Sequence, residues 1–276
     1  MPGESKGAKD DLRDAWRRAE ELRTGTISTR VYKAPQHLAA LRNAVRAFSF
    51  AVRDVVRAKN RLKSVFLSRG ILAEQRIYDA KRRLKQLEKL TSPHRQLADW
   101  LGRQLDELQP LRDEAEEWLL KEAKTHPIIR TLATAPGMGP IRTAQLVAIA
   151  ATPERFRTRR QFWSYCGLSI VTRSSSDWVR GKDRSWERSQ VQQTRGLTRK
   201  RQPLLKAVFK GAATTVISQL PENPLHKDYQ RMLEAGIKPN LAKLTLARRI
   251  AATLLSMWKH QEVYDPERHQ GVTHKA

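Results

Sequence analysis

LATAPGMGPIRTAQLVAIAATPERFRTRRQFWSYCGLSIVTRSSSD, residues Leu132 to Asp177, holds a glycine turn, a helix, a basic turn, a second helix and a run of three serines in one continuous stretch. Pro136-Gly137-Met138-Gly139-Pro140 separates two apolar segments, and Ala144, Leu146, Val147 and Ile149 recur behind it at helical spacing. Glycines one residue apart let the backbone take left-handed conformations and aim successive N–H groups outward at a helix N-terminus, where the helix dipole is positive. Such a turn either seats a phosphate or simply joins two helices, and Gly-x-Gly alone does not choose. On residue type alone, Ser174, Ser175 and Ser176 read as a polar loop or a helix cap. Cys166, the single cysteine, lies beside Tyr165 and Leu168 and reads as a small core residue.

Upstream, the first ten residues are polar and Asp11 to Leu22 opens as a helix with Asp11 and Asp14 in its first turn. A long helix then follows Pro35, with Leu38, Leu41, Val45, Phe48, Val52, Val55, Leu62 and Val65 mostly at alternating steps of three and four, the pattern of a heptad seam. It stops near Ser68-Arg69-Gly70. A second helix carries Ile77, Leu84, Leu87 and Leu90, and a third Leu97, Leu101, Leu105, Leu108 and Leu111, with Pro110 expected to kink or divide it. These segments predict an antiparallel coiled-coil arm over 35–125, whose basic face (Arg53, Arg57, Lys59, Arg61, Lys63) is either solvated or laid against nucleic acid. Downstream, about fifteen Lys or Arg stand against three acids between Arg155 and Lys210. Trp178 and Trp186 interleave with Arg173, Arg180, Lys182, Arg184 and Arg188, suited to phosphate contact with stacking or to the anchors of a small hairpin. A helix from Leu204 to Leu220 and a terminal one with Leu241, Leu244, Ala247, Ile250, Leu254 and Trp258 on one face close a compact domain over 126–265. A polar tail occupies 266–276. The fold class is mainly α.

A net charge of +25 and a pI near 10.8 mark a binder of polyanions, with nucleic acid the leading partner. With 39% hydrophobic residues a sizeable core is available. No apolar run of the roughly 18 residues needed to span a bilayer is present, and no signal peptide is visible at the N-terminus. One cysteine excludes an internal disulfide, and the seven histidines show no zinc-ligand spacing.

Two features of the central stretch carry resemblances. Gly137-Met138-Gly139, with Ala144 a helical turn later, resembles the helix-hairpin-helix DNA-binding motif, which implies phosphate contact at Gly137 and Gly139. Read through to Ser176, the order Pro-Gly-Met-Gly-Pro, Arg155-Phe156, Tyr165-Cys166-Gly167-Leu168 and Ser174-Ser175-Ser176 resembles the C-terminal domain of the DEDD-type, Piv-like insertion-sequence transposases of the IS-110, IS-116 and IS-902 class. The resemblance implies a serine nucleophile in a Ser-Ser-Gly context. Asp177 takes the place of that glycine, so Ser176 is the first candidate, with Ser175 and Ser174 beside it. It further implies phosphate binding by Arg195 and Lys206, while Arg173 and Arg180 are candidates to steady the reacting phosphate.

Lys9-Asp10-Asp11-Leu12-Arg13-Asp14-Ala15 is similar to the run that supplies the last two acids of those transposases' RuvC-like DEDD site. The resemblance implies that Asp11 and Asp14 bind a divalent metal such as Mg, and that 1–34 is the last helix of a RuvC-like domain whose first Asp and Glu precede this chain. Two carboxylates are too few for a phosphodiesterase metal site. The implied function is DNA strand cleavage and exchange by an insertion-sequence transposase, in the cytoplasm near the nucleoid. Its partners are DNA, a guide-like noncoding RNA, and a second copy or a full-length transposase. A non-catalytic truncated transposase and an architectural helix-hairpin-helix protein are the alternatives.

Overall fold

Helix-forming residues dominate the chain, and the computed structural model describes residues 11–26, 32, 35–72, 75–173, 178–180, 183, 185–188, 193–198 and 201–270. They fall into two units, Met1–Gln36 and His37–Ala276. In the first unit, α1 spans Asp11–Arg23 with both aspartates in its first turn, where the dipole favours negative charge. It buries none of its residues, and Arg17–Glu21 and Arg23–Glu20 pair along its exposed surface.

In the second unit, α2 runs from Ala39 to Leu67, about 43 Å at 1.5 Å per residue. Leu41, Val45, Phe48, Val55, Leu62 and Val65 are buried as the heptad spacing requires, and Ala58 fills the step between Val55 and Leu62. The helix ends at Ser68, before Gly70 turns left-handed at φ +70°. A helical turn at Gln75–Tyr78 and α3, Ala80–Leu87, return the chain, with the Asp79 side chain accepting from the Arg82 N–H at 2.8 Å as N-cap. Next comes α4, Ser92–Lys124, a single 33-residue helix.

Two expectations for this third arm segment are corrected. Pro110 does not divide α4. Leu105 on one side and Leu119 on the other are each fully buried in a core, and packing on both flanks carries the helix through the missing hydrogen bond. The seam is also shifted. Ala98, Leu101, Gly102, Leu105, Ala115, Leu119 and Ala123 face inward, whereas Leu97 and Leu111 are 48% and 56% exposed. On the second arm segment Leu84 likewise points outward.

The arm contains two cores. Val55, Leu62 and Phe66 of α2 meet Ile77, Leu87, Ala98, Leu101 and Leu105 at its far end. Leu41, Val45 and Phe48 meet Leu119 and Ala123 at the near end, and this second core continues into the rest of the unit. The pairing of the start of α2 with the end of α4 makes the two helices antiparallel.

Beyond the arm, α5 (Pro127–Leu132) and α6 (Gly139–Ala150) flank the glycine turn, and α7 (Arg159–Tyr165) opens with a Thr158–Gln161 capping box. Strand β1 (Ile170–Arg173) is followed by β2 (Trp178–Arg180), β3 (Trp186–Arg188) and β4 (Gln193–Leu197). β1 pairs antiparallel with β4, its register shifting between Ile170 and Thr172, and β2 pairs with β3. The hairpin reading of Trp178 and Trp186 therefore holds for the backbone. Helices α8 (Pro203–Gln219), α9 (Pro224–Glu234) and α10 (Pro239–His260) complete the core, which gathers Phe162, Phe209, Leu246, Ile250 and Leu254. Asp228 of α9, 6% exposed, takes Arg231 and Arg249 on its two carboxylate oxygens and so ties α9 to α10. The polar tail opens with α11, Pro266–Gln270, and Asp265 accepts from the Glu267 N–H at 2.9 Å.

Gly102 has a specific task in the arm. Arg83 is 4% exposed, its guanidinium pairs with Asp106, and a Cβ on Gly102 would lie 2.5 Å from its Nε. Gly102→Ala should displace this buried cation and destabilise the second unit by ~1–3 kcal/mol, read as a lower urea midpoint with unchanged helix content at the start.

Candidate nucleic-acid interface

The glycine turn shows two glycines with different duties. Both are left-handed, at φ +74° for Gly137 and +61° for Gly139. A Cβ at Gly137 would lie 2.4 Å from the Ala212 carbonyl oxygen of α8, while one at Gly139 would meet nothing within 4 Å. Gly137 is thus required by helix-on-turn packing, and Gly139 by backbone handedness at the open start of α6. Arg142 locks the arrangement. Its guanidinium donates to the Gly137 carbonyl and, at 3.0 Å, to Thr215 Oγ1 on α8. Burial depresses its pKa without threatening its charge.

The second motif, Arg155-Phe156, is also architectural. Arg155 donates to the Ala150 carbonyl at 2.8 Å and the Ile149 carbonyl at 3.4 Å, capping the C-terminus of α6, and lies over the rings of Phe156 and Tyr165. Phe156 stacks edge-on against Phe162, and Phe162 against Phe209.

The third motif, Tyr165-Cys166-Gly167-Leu168, fixes the strand that leads to the serines. Cys166 is fully buried and its thiol pKa is pushed up by desolvation, so it is inert packing. Gly167, at φ +71°, leaves room for the stem of Arg201, whose Cδ lies 2.2 Å from where a Cβ would stand. The Tyr165 carbonyl accepts from the Gln202 N–H at 3.0 Å and the Ser169 carbonyl from the Thr198 N–H at 3.0 Å. From the other side Arg248 of α10 donates through Nε to the Leu168 carbonyl at 2.7 Å, and Trp163 Nε1 donates to the Arg248 carbonyl at 2.9 Å. Burial lowers the Arg248 pKa, as for Arg142. Arg248 therefore holds the root of β1.

Of the residues expected at the site, Gly137 and Gly139 sit on the α5–α6 turn, and Lys206 half-buried on α8. Arg180 is exposed at the end of β2, in register with Trp186, which is 65% exposed. Arg173 and Arg195 fall on the paired strands β1 and β4. Ser174, Ser175 and Ser176 follow β1 in sequence and lie outside the described residues. Asp11 and Asp14 are exposed on α1, in the other unit. Among the described residues no group of three or more His, Cys, Asp or Glu is placed to hold a metal ion. No described helix is long and apolar enough to cross a membrane.

Sequence reasoning missed Arg201 and Lys210, which flank Lys206 on α8 closely enough to lower its pKa, after the larger effect of burial. A signal existed. Residues 188–221 contain seven Lys or Arg and no Asp or Glu. Arg142, Arg155 and Arg248 carry no such signal, because nothing in their local sequence separates them from the other basic residues.

The two glycines separate under substitution. Gly139→Ala should cost only the left-handed penalty, about 1–2 kcal/mol. Gly137→Ala adds the clash with α8, roughly 1–3 kcal/mol more. Urea unfolding of both variants checks this, and equal losses would contradict the closed packing at Gly137.

Residues 129–230 match the sequence model described as the Transposase IS116/IS110/IS902 family. No curated protein matches the chain. The match begins inside α5, takes in the glycine turn, the capping arginine, the four strands and α8, and ends in α9, short of α10 and its Arg248. This chain carries a Transposase IS116/IS110/IS902 family domain over residues 129–230.

Proposed function

We propose that the chain acts in DNA transposition as the serine-bearing part of an insertion-sequence transposase. The observation that carries this reading is the family match itself, because it spans the serine run and the platform from which β1 and β4 emerge. The net charge of +25 supports a nucleic-acid partner.

On this reading Ser176 attacks a DNA phosphodiester. A bond forms between its Oγ and phosphorus, the bond from phosphorus to one sugar oxygen breaks, and that oxygen leaves as a hydroxyl with the proton the serine lost. A free serine hydroxyl is a weak nucleophile and needs an activating base. Arg173 and Arg180, at the ends of the two strands that bracket the serines in sequence, are the cations to steady the phosphate. Gly139, open at the start of α6, is left to meet a backbone phosphate in the manner of a helix-hairpin-helix turn. Arg195 and Lys206 extend the contact.

Asp11 and Asp14 offer hard oxygen ligands of the kind a divalent ion such as Mg takes. Their number falls short of a working site. The reading extends to a guide-like RNA and to a second copy or full-length transposase. The coiled-coil arm is the element of the chain best suited to pairing with that partner.

A second reading, DNA binding without cleavage, is favoured by one observation: Asp177 stands where the family has glycine after its serines. Labelled target DNA, incubated with the chain with and without a full-length family member and its RNA, separates the two. The catalytic reading expects a covalent protein–DNA adduct that survives denaturation and disappears in Ser176→Ala. An adduct untouched by Ser176→Ala moves the nucleophile to Ser175 or Ser174, tested the same way. DNA binding with no adduct under any condition selects the second reading.

A further inference from the structure

Several cations of the second unit are matched by acids. Arg57 pairs with Asp54, Arg83 with Asp106, Arg103 with Asp99, Arg112 with Glu116, and Arg231 and Arg249 with Asp228. Others are spent on carbonyls, as with Arg142, Arg155 and Arg248. Helix α8 differs. Among the described residues no carboxylate pairs with Arg201, Lys206 or Lys210, and the sequence supplies no acid for them between residues 188 and 221.

The three cations are ordered by the fold. Arg201 is laid across Gly167 and donates to the Thr198 carbonyl at 3.2 Å, just ahead of α8. Lys206 and Lys210 lie four residues apart, on one row of the helix about 6 Å along its axis. The same row continues through Thr214 and Ser218, whose hydroxyls donate back to the Lys210 and Thr214 carbonyls at 2.9 Å each. Ala207 beside the row is exposed, and the adjoining Gly211 and Thr215 are the residues that meet Arg142 below the glycine turn. The result is a low-relief face of small side chains with a line of positive charge at its N-terminal half.

We propose that this face of α8 is a track for the sugar-phosphate backbone of duplex DNA, with Arg201, Lys206 and Lys210 as its phosphate contacts. The inference rests on the reading of the chain as a DNA-acting transposase and names where on it the DNA lies. The spacing lets long side chains reach neighbouring phosphates, and the small residues let the backbone come close. Unmatched charge on a half-buried lysine is a folding cost. Burial first, and then Arg201 and Lys210, hold the Lys206 pKa below its ordinary value. For a base whose folded pKa is depressed, the cost is fully present below that pKa, neutral pH included, and is relieved as pH rises toward the unfolded value. An anion bound along the row removes it.

The test is fluorescence anisotropy of the full chain on a short labelled DNA duplex across a salt series, comparing Lys206→Gln/Lys210→Gln with Lys121→Gln/Lys124→Gln. The control pair sits among Glu116, Glu117 and Glu122 at the end of α4 and removes the same charge. Losing two phosphate contacts should reduce the slope of log affinity against log salt by about 2, equivalent to an affinity difference that narrows about tenfold between 50 and 200 mM salt. The control should keep the wild-type slope. The α8 variant should also melt no lower than wild type, since a structural role for the lysines would lower it. A wild-type slope in the α8 variant, or the same reduction in the control, overturns the track. A reduction seen with an RNA hairpin but not with duplex DNA overturns the choice of partner. Failure of the wild-type chain to bind duplex DNA at all removes the transposition reading itself and is recognised by there being no slope to compare.

Discussion

The second unit depends on one close approach, the backbone of the glycine turn lying directly on the backbone of α8 at Gly137 and Ala212. A side chain of any size at Gly137 would push the two apart. Because they touch, α6 can bury Ala144, Leu146, Val147 and Ala148 in the common core, and α8 can present Phe209 to Phe162 on α7. Arg142 then seals the contact with two hydrogen bonds that would otherwise leave the Gly137 carbonyl and the Thr215 hydroxyl without a partner across the junction.

Arginine serves this fold in two separate capacities. Arg83, Arg142, Arg155 and Arg248 are drawn in, where the planar guanidinium matches carbonyls and carboxylates. A lysine in such places would shed its proton more readily. The net charge of +25 therefore overstates what is offered to a polyanion, and the surfaces that matter are those where cations remain after the architecture has used its share.

Much of the helical arm can be read from the sequence, because α2 builds its seam from Leu, Val and Phe at heptad steps. The facing seam of α4 is written in Ala98, Gly102, Ala115 and Ala123, small residues that pattern reading passes over in favour of Leu97 and Leu111. Pro110 misleads for a related reason, since local preference yields to burial on both sides of it. At the candidate interface the glycine turn and Lys206 are legible, but the unlike duties of Gly137 and Gly139 are not, because both are plain glycines until α8 is in place. Arg201 is hidden in the same way. Its position follows from a gap at Gly167, more than thirty residues earlier, and no spacing rule connects the two.

Helices α2 and α4 run unbroken from the far core, around Leu62 and Leu105, to the near core, where Leu41 and Leu119 join the residues beneath α6, α8 and α10. The tip at Gln75–Leu87 and the platform therefore share two uninterrupted lengths of backbone, and the arm needs no separate connection to its base.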